Sequence, residues 1–102
     1  MQINPDSERR VALVTGGAKG IGAEVCARLA AAGHHVLVAD LDTEAAEATA
    51  LRLREAGGRA VALTLDVGHL ESIAQIFGHV ERTFGRCDIL VNCAGIAKVF
   101  PF

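Results

Sequence analysis

The stretch that decides the fold is Val11 to Gly22, which reads V-A-L-V-T-G-G-A-K-G-I-G. It opens with a short apolar run, and such a run bounded by glycines is typical of a buried strand. Four glycines follow, and Ile21, Val25 and Leu29 then recur at helical spacing. A strand, a glycine turn and a helix in this order can hold a phosphate, because the backbone comes close and the helix start offers unpaired N–H groups. The alternative is a glycine-rich turn that only connects the strand to the helix.

Strand and helix patterns alternate along the rest of the chain. The predicted strands are Val11–Thr15, His35–Ala39, Ala60–Leu65 and Asp88–Val91, and the predicted helices run from the glycine turn to about Ala32, from Asp42 or Thr43 to about Ala56, and from about Leu70 to Phe84. This alternation predicts a parallel sheet with helices on both faces. The predicted fold class is therefore α/β, a partial doubly wound Rossmann fold with four parallel strands in the order 3-2-1-4.

The third helix carries the clearest amphipathic pattern. Its apolar residues recur at helical spacing and are predicted to form its core face: Ile73, Ile76, Phe77, Val80 and Phe84.

The length, net charge and apolar runs of the chain limit the classes of protein to which it can belong. A chain of 102 residues is long enough for one domain, and we expect residues 1–102 to form a single unit. The net charge of -2 gives no electrostatic case for binding nucleic acid or an anionic membrane. The apolar runs are too short to span a bilayer, and the N-terminus lacks an apolar signal core, so a cytoplasmic location is expected.

The three cysteines are expected to be reduced. Cys87 and Cys93 flank a predicted strand and should lie roughly 20 Å apart, which is too far for a disulfide. The spacing of the cysteines, Cys26 included, fits no metal site. Reduced thiols are typical of a reducing compartment.

Distinctive residues follow the ends of all four predicted strands: Gly16, Asp40, Asp66 and Asn92. Ligands of parallel sheets bind at this carboxyl edge. The carboxylate of Asp40 can accept a hydrogen bond from an adenosine ribose 2′-hydroxyl, and it would repel a 2′-phosphate, which favours NAD over NADP. Lys19 gives weaker support for NADP, since its side chain could contact a phosphate. The alternative role of Asp40 is a charge at the N-terminus of the following helix, or a cap for that helix.

Taken together, these motifs resemble the short-chain dehydrogenase/reductase family. The similarity rests on T-G-x-x-x-G-x-G from Thr15 to Gly22, on Asp40, on the Asp66-Val67 pair and on N-C-A-G at residues 92–95. It implies that the Asp-Val pair contacts the adenine, although a helix cap fits Asp66 equally well. It also implies that N-C-A-G lines the nicotinamide ribose. Cys93 departs from the family pattern, which has asparagine there.

The resemblance implies an NAD-dependent oxidoreductase that interconverts secondary alcohols and ketones. The residues expected to bind the nicotinamide dinucleotide are Gly16, Lys19, Gly20, Ile21, Gly22, Asp40, Leu41, Asp66, Val67, Asn92, Ala94 and Gly95.

No catalytic residue is assigned. The family's catalytic Ser and its Y-x-x-x-K motif come after the fourth strand, and this chain has no tyrosine. We therefore expect the chain to be the dinucleotide-binding half of such an enzyme, a truncated domain whose open strand-four edge favours self-association. The alternatives are a non-catalytic NAD-binding module and a non-functional truncated product.

Overall fold

The computed structural model describes residues 10–66 and 68–93. Its elements, in chain order, are β1 (Val11–Thr15), α1 (Gly20–Ala31), β2 (His35–Asp40), α2 (Thr43–Glu55), β3 (Arg59–Thr64), α3 (Leu70–Phe84) and β4 (Ile89–Asn92). The strands form one parallel sheet in the order β3-β2-β1-β4. The predicted fold class and strand order are therefore confirmed, and the bounds of β3 and β4 differ from the predicted ones by one residue.

The two central strands are apolar except at their ends because helices cover both faces of the sheet. Every residue of β1 is buried, and so are the four inner residues of β2. Thr15, the last residue of β1, lies opposite Ala39 of β2 and Asn92 of β4. This register brings the ends of β1, β2 and β4 to the same level, so that the loops after them meet at one edge of the sheet.

Small side chains let α1 and α2 pack closely on one face. The cluster there joins Val14 and Val38 of the sheet to Cys26 and Ala30 of α1 and to Ala50 of α2. Cys26 and Ala50 are fully buried. Interiors are close-packed, so larger side chains at these positions would force the helices away from the sheet.

The opposite face is covered by α3. Leu13 and Leu37 are fully buried there against Ile76 and Val80, and burying each leucine contributes about 2 kcal/mol. The prediction that Phe77 belongs to the core is wrong, since its side chain is 39% exposed. Among the described residues, no helix is both long and apolar enough to cross a bilayer.

Phe77 is exposed because it lies beside the open edge of the sheet. In the part of the chain that the structure describes, β4 pairs only with β1, and Leu90 of β4 is 54% exposed. A cavity of about 310 Å³ lies between α3 and the ends of β1 and β4. Its lining is mostly apolar and comprises Leu13, Thr15, Leu65, Ile73, Phe77, Leu90 and Asn92.

The three cysteines are free thiols, as expected. Cys26 and Cys93 are buried, and Cys87 is exposed. Burial raises the pKa of Cys26 to about 12, because a thiolate in this apolar layer would lose its hydration.

Asp88 ties the start of β4 to the start of β1. Its Oδ2 accepts a hydrogen bond of 2.8 Å from the backbone N–H of Val11. Nε and Nη2 of Arg86 donate to both carboxylate oxygens at 2.8 to 3.0 Å. The hydrogen bonds from Arg86, followed by that from Val11, lower the pKa of Asp88 below its usual 3.8.

A pH-dependent loss of stability follows from this lowered pKa. A carboxyl group whose pKa falls on folding stabilises the protein above its unfolded pKa, and that contribution disappears as the pH drops through the folded value. We expect Asp88→Asn to lower the free energy of unfolding near pH 7, and this loss should be smaller at about pH 2, below the usual pKa of 3.8. Urea titrations at both pH values would measure the two differences.

The matched control for Asp88→Asn is Glu47→Gln, which removes an exposed carboxylate from the surface of α2. This control should leave stability almost unchanged at both pH values. An Asp88→Asn effect of equal size at both pH values would show that the carboxylate charge contributes nothing to stability.

Candidate functional site

The glycine loop between β1 and α1 packs so tightly that one position in the loop, Gly17, and one in the first turn of α1, Gly22, exclude a side chain. A Cβ on Gly22 would overlap the carbonyl oxygen of Gly16 and would lie 2.9 Å from Cα of Gly17. A Cβ on Gly17 would lie 2.9 Å from the carbonyl oxygen of Val14. The loop therefore lies directly against the first turn of α1, and only glycine permits that approach.

The first turn of α1 has neither a side-chain cap nor an acidic residue. Lys19 is the N-cap residue, makes no side-chain cap, and is followed by no acidic residue in the first turn. By contrast, α2 is capped by Asp42, whose Oδ1 accepts a 3.1 Å hydrogen bond from the N–H of Ala45, and it carries Glu44 in its first turn. The first N–H groups of α1 have no partner within the helix. This helix start thus carries a partial positive charge that its own N-cap and first-turn side chains do not offset.

Asp40, at the end of β2, holds the glycine loop in place. Its Oδ2 accepts a hydrogen bond of 3.2 Å from the N–H of Ala18, and its Oδ1 accepts one of 3.0 Å from the N–H of Asp42. The N–H of Gly17 donates to the carbonyl oxygen of Ala39 at 3.1 Å. Because Asp42 caps α2, the alternative that Asp40 is its cap is wrong. The other alternative, a charge at the N-terminus of this helix, is compatible with the hydrogen bond from the N–H of Asp42 to Asp40.

Lys19 and Asp42 form an ion pair across the rim of the site. Nζ of Lys19 lies 2.9 Å from Oδ2 of Asp42. The hydrogen bond between them raises the pKa of Lys19 and lowers that of Asp42, so both groups are charged at neutral pH. Sequence analysis missed this pair, since the two residues lie on different loops and share no motif.

Two hydroxyl groups fix the backbone on either side of the loop. Oγ1 of Thr15 donates to Oδ1 of Asn92 at 2.7 Å, and the N–H of Cys93 donates to the carbonyl oxygen of Thr15 at 2.9 Å. Oγ1 of Thr49, a buried residue of α2, donates to the carbonyl oxygen of Ala18 at 2.8 Å. Thr49 was also missed, although a polar residue on the alanine-rich inner face of α2 was a usable signal.

Asp66 closes the turn that leads into α3. Its Oδ1 accepts a 2.8 Å hydrogen bond from the N–H of Gly68, and its Oδ2 lies 3.2 Å from Nε2 of His69. The N-cap residue of α3 is His69, and it makes no side-chain cap. Asp66 therefore stabilises the preceding turn and does not occupy the cap position that one sequence interpretation gave it.

The predicted site residues follow the carboxyl ends of the four strands. Hydrogen bonds join the glycine loop to Asp40 and the end of β1 to Asn92, and Asp66 follows β3, the outermost strand. Ile21 and Leu41 are 60% and 66% exposed, so their apolar side chains are accessible at this edge. The remaining predicted site residues, Val67, Ala94 and Gly95, lie outside the described residues.

A family model described as short chain dehydrogenase matches residues 10–102. The chain belongs to the short chain dehydrogenase family. It is 45% identical over 102 residues to the uncharacterized oxidoreductase YuxG of Bacillus subtilis, and the match covers 96% of this chain and 15% of that protein. It is 41% identical over 92 residues to the D-threitol dehydrogenase of Mycolicibacterium smegmatis, with 90% of this chain and 35% of that protein covered.

The fold of this chain is also found in solved structures of the family. A metagenomic short-chain oxidoreductase in complex with NADP matches with a TM-score of 0.77 and 36% identity, over 79% of this chain and 37% of that one. The chain thus spans 35% or less of the two curated relatives.

Proposed function

We propose that this chain binds NAD as the dinucleotide-binding part of a short chain dehydrogenase that interconverts a secondary alcohol and a ketone. The observation that carries the proposal is the pairing of a glycine loop and an uncapped α1 start with the carboxylate of Asp40 beside them. The first two features suit a pyrophosphate, and the third suits a ribose hydroxyl.

The residues present fit the cofactor as a whole. Gly16, Gly20 and Gly22 would let the pyrophosphate approach the backbone, and the N–H groups at the start of α1 would bind it. Ile21 in the first turn of α1 and Leu41, Asp66 and Val67 after the strands would lie near the adenosine side or the pyrophosphate. Asn92, Ala94 and Gly95 would lie near the nicotinamide ribose. When bound, the nicotinamide ring supplies the hydride donor or acceptor.

The preference for NAD rests on Asp40 and not on the family. One solved neighbour is a complex with NADP, so membership alone leaves the choice open. The Asp40 carboxylate is oriented by two backbone N–H groups and keeps lone pairs for a further donor. It would accept from a ribose 2′-hydroxyl and repel a 2′-phosphate, as the sequence predicts.

We assign proton transfer to no residue of this chain. The 102 residues contain no tyrosine, so the Y-x-x-x-K motif of the family is not among them. This chain would position the cofactor and shield one face of the site. Because the Y-x-x-x-K motif is not among these residues, a second candidate function is a module that binds NAD without turnover.

Two finer properties are also part of the proposal. The free thiols support a reducing, cytoplasmic environment. The exposed Leu90 on the edge strand β4 supports self-association through that edge.

Calorimetric titration of the chain with NADH and with NADPH tests the proposal. We expect NADH to bind at least about tenfold more tightly than NADPH, a difference that corresponds to about 1.4 kcal/mol. Gly16→Val should abolish binding of both, since Gly16 has a φ of 67°, a conformation that valine rarely adopts. A wild-type chain that ignores millimolar NADH would refute both candidate functions. Binding of NADH without turnover by these 102 residues fits both candidates, and NAD-coupled alcohol oxidation by a longer protein that contains this chain would favour the enzyme over the module.

A further inference from the structure

The ion pair between Lys19 and Asp42 spans the two loops that flank Asp40. Lys19 belongs to the glycine loop and Asp42 to the loop after β2, and their side chains are 68% and 44% exposed. Together with the hydrogen bonds from Ala18 and Asp42 to Asp40, the pair closes a ring of contacts around the carboxylate proposed to bind the ribose. If the ribose binds to Asp40 as proposed, a group at its 2′ position would lie near all three charges.

The positions of these charges matter for a 2′-phosphate. Asp40 repels it, whereas the ammonium group of Lys19 would attract it and could offset that repulsion. In this structure the Lys19 ammonium is instead bonded to the carboxylate of Asp42 at 2.9 Å. A phosphate would have to compete with that carboxylate and would also meet its negative charge.

We propose that Asp42 is a specificity-determining residue, because it holds the Lys19 ammonium away from a 2′-phosphate and so strengthens the discrimination against NADP that Asp40 begins. This inference rests on the proposed function, and it assigns a second role to a residue whose first role is to cap α2. The pair is solvent-exposed, so its effect on affinity should be modest and should weaken in salt.

The test separates the two roles of Asp42. Asn is as good an N-cap residue as Asp, so Asp42→Asn keeps the hydrogen bond to Ala45 while it removes the charge. Calorimetric titration with NADH and NADPH, which differ only in the 2′-phosphate, should give an affinity for NADPH about three- to tenfold higher than that of the wild type. The affinity for NADH should change less than about twofold, and the gain should shrink at about 0.5 M salt.

Two further variants show whether the effect passes through Lys19. Adding Lys19→Gln to Asp42→Asn should remove the gain in NADPH affinity, as a double-mutant cycle requires for a coupled pair. Glu44→Gln, which removes a negative charge two positions from Asp42, should leave the ratio of the two affinities unchanged. A gain that persists without Lys19, or one that Glu44→Gln reproduces, would refute the proposal.

The outcome also separates this inference from the function on which it depends. A wild-type protein that binds neither dinucleotide would refute the proposed function, and the role of Asp42 with it. A wild-type protein that binds NADH, combined with an Asp42→Asn variant of unaltered NADPH affinity, would refute only the role of Asp42.

Discussion

Replacing Gly22 with alanine is expected to destabilise the protein by about 3 kcal/mol and to abolish NADH binding. The new Cβ would overlap the carbonyl oxygen of Gly16 and approach the Gly16 carbonyl carbon to 2.8 Å. These are backbone atoms, so no side-chain rotation relieves the overlap. The loop would have to move away from α1, and the N–H groups proposed to hold the pyrophosphate would move with it.

Gly20→Ala is the matched control for Gly22→Ala. Gly20 lies in the same first turn of α1 and has a φ of 56°, but no atom lies within 4 Å of its Cβ position. Its replacement therefore adds backbone strain of about 1 to 2 kcal/mol without a collision. Urea unfolding and NADH titration of both variants would measure the difference. Equal losses of stability would show that the contact between Gly16 and Gly22 is not what restricts the second position to glycine.

The fold could be predicted because the spacing of apolar residues indicates which segments form strands and which form helices. β1 and β2 are continuous apolar runs, and helices that cover both faces of a parallel sheet demand that pattern. Phe77 shows the limit of the same argument. Helical spacing places it on the inner face of α3, but spacing does not say whether anything covers that part of the face. The face beside β4 is open among the described residues, and Phe77 is exposed there.

The site was only partly predictable, for a related reason. The position of Asp40 at the end of β2 follows from strand order, and strand order follows from the sequence. Its hydrogen bond to Ala18 and the pairing of Lys19 with Asp42 depend on how two loops approach each other. No local pattern records such contacts, because each loop satisfies its own conformational rules independently of the other.

The second large effect is expected from Asp40→Asn, which should lower the affinity for NADH about tenfold and leave that for NADPH unchanged or higher. A hydrogen bond to a charged group is worth about 1.5 to 3 kcal/mol, against about 1 kcal/mol for a neutral one. The asparagine offers one acceptor oxygen where the carboxylate uses two, so it can accept from the N–H of Ala18 or from that of Asp42 but not from both, and the loop should also lose some stability. Removing the charge also removes the repulsion of a 2′-phosphate.

Asp66→Asn gives the matched comparison for Asp40→Asn. Asp66 follows β3, and its proposed contact is with the adenine, which NADH and NADPH share. Its replacement should therefore weaken both dinucleotides by the same factor, whereas Asp40→Asn should change their ratio. Titration of both variants with both dinucleotides separates a residue that recognises the ribose from one that recognises the base. If Asp40→Asn changed the two affinities equally, Asp40 would act only as the anchor of the glycine loop, and the preference for NAD would need another source.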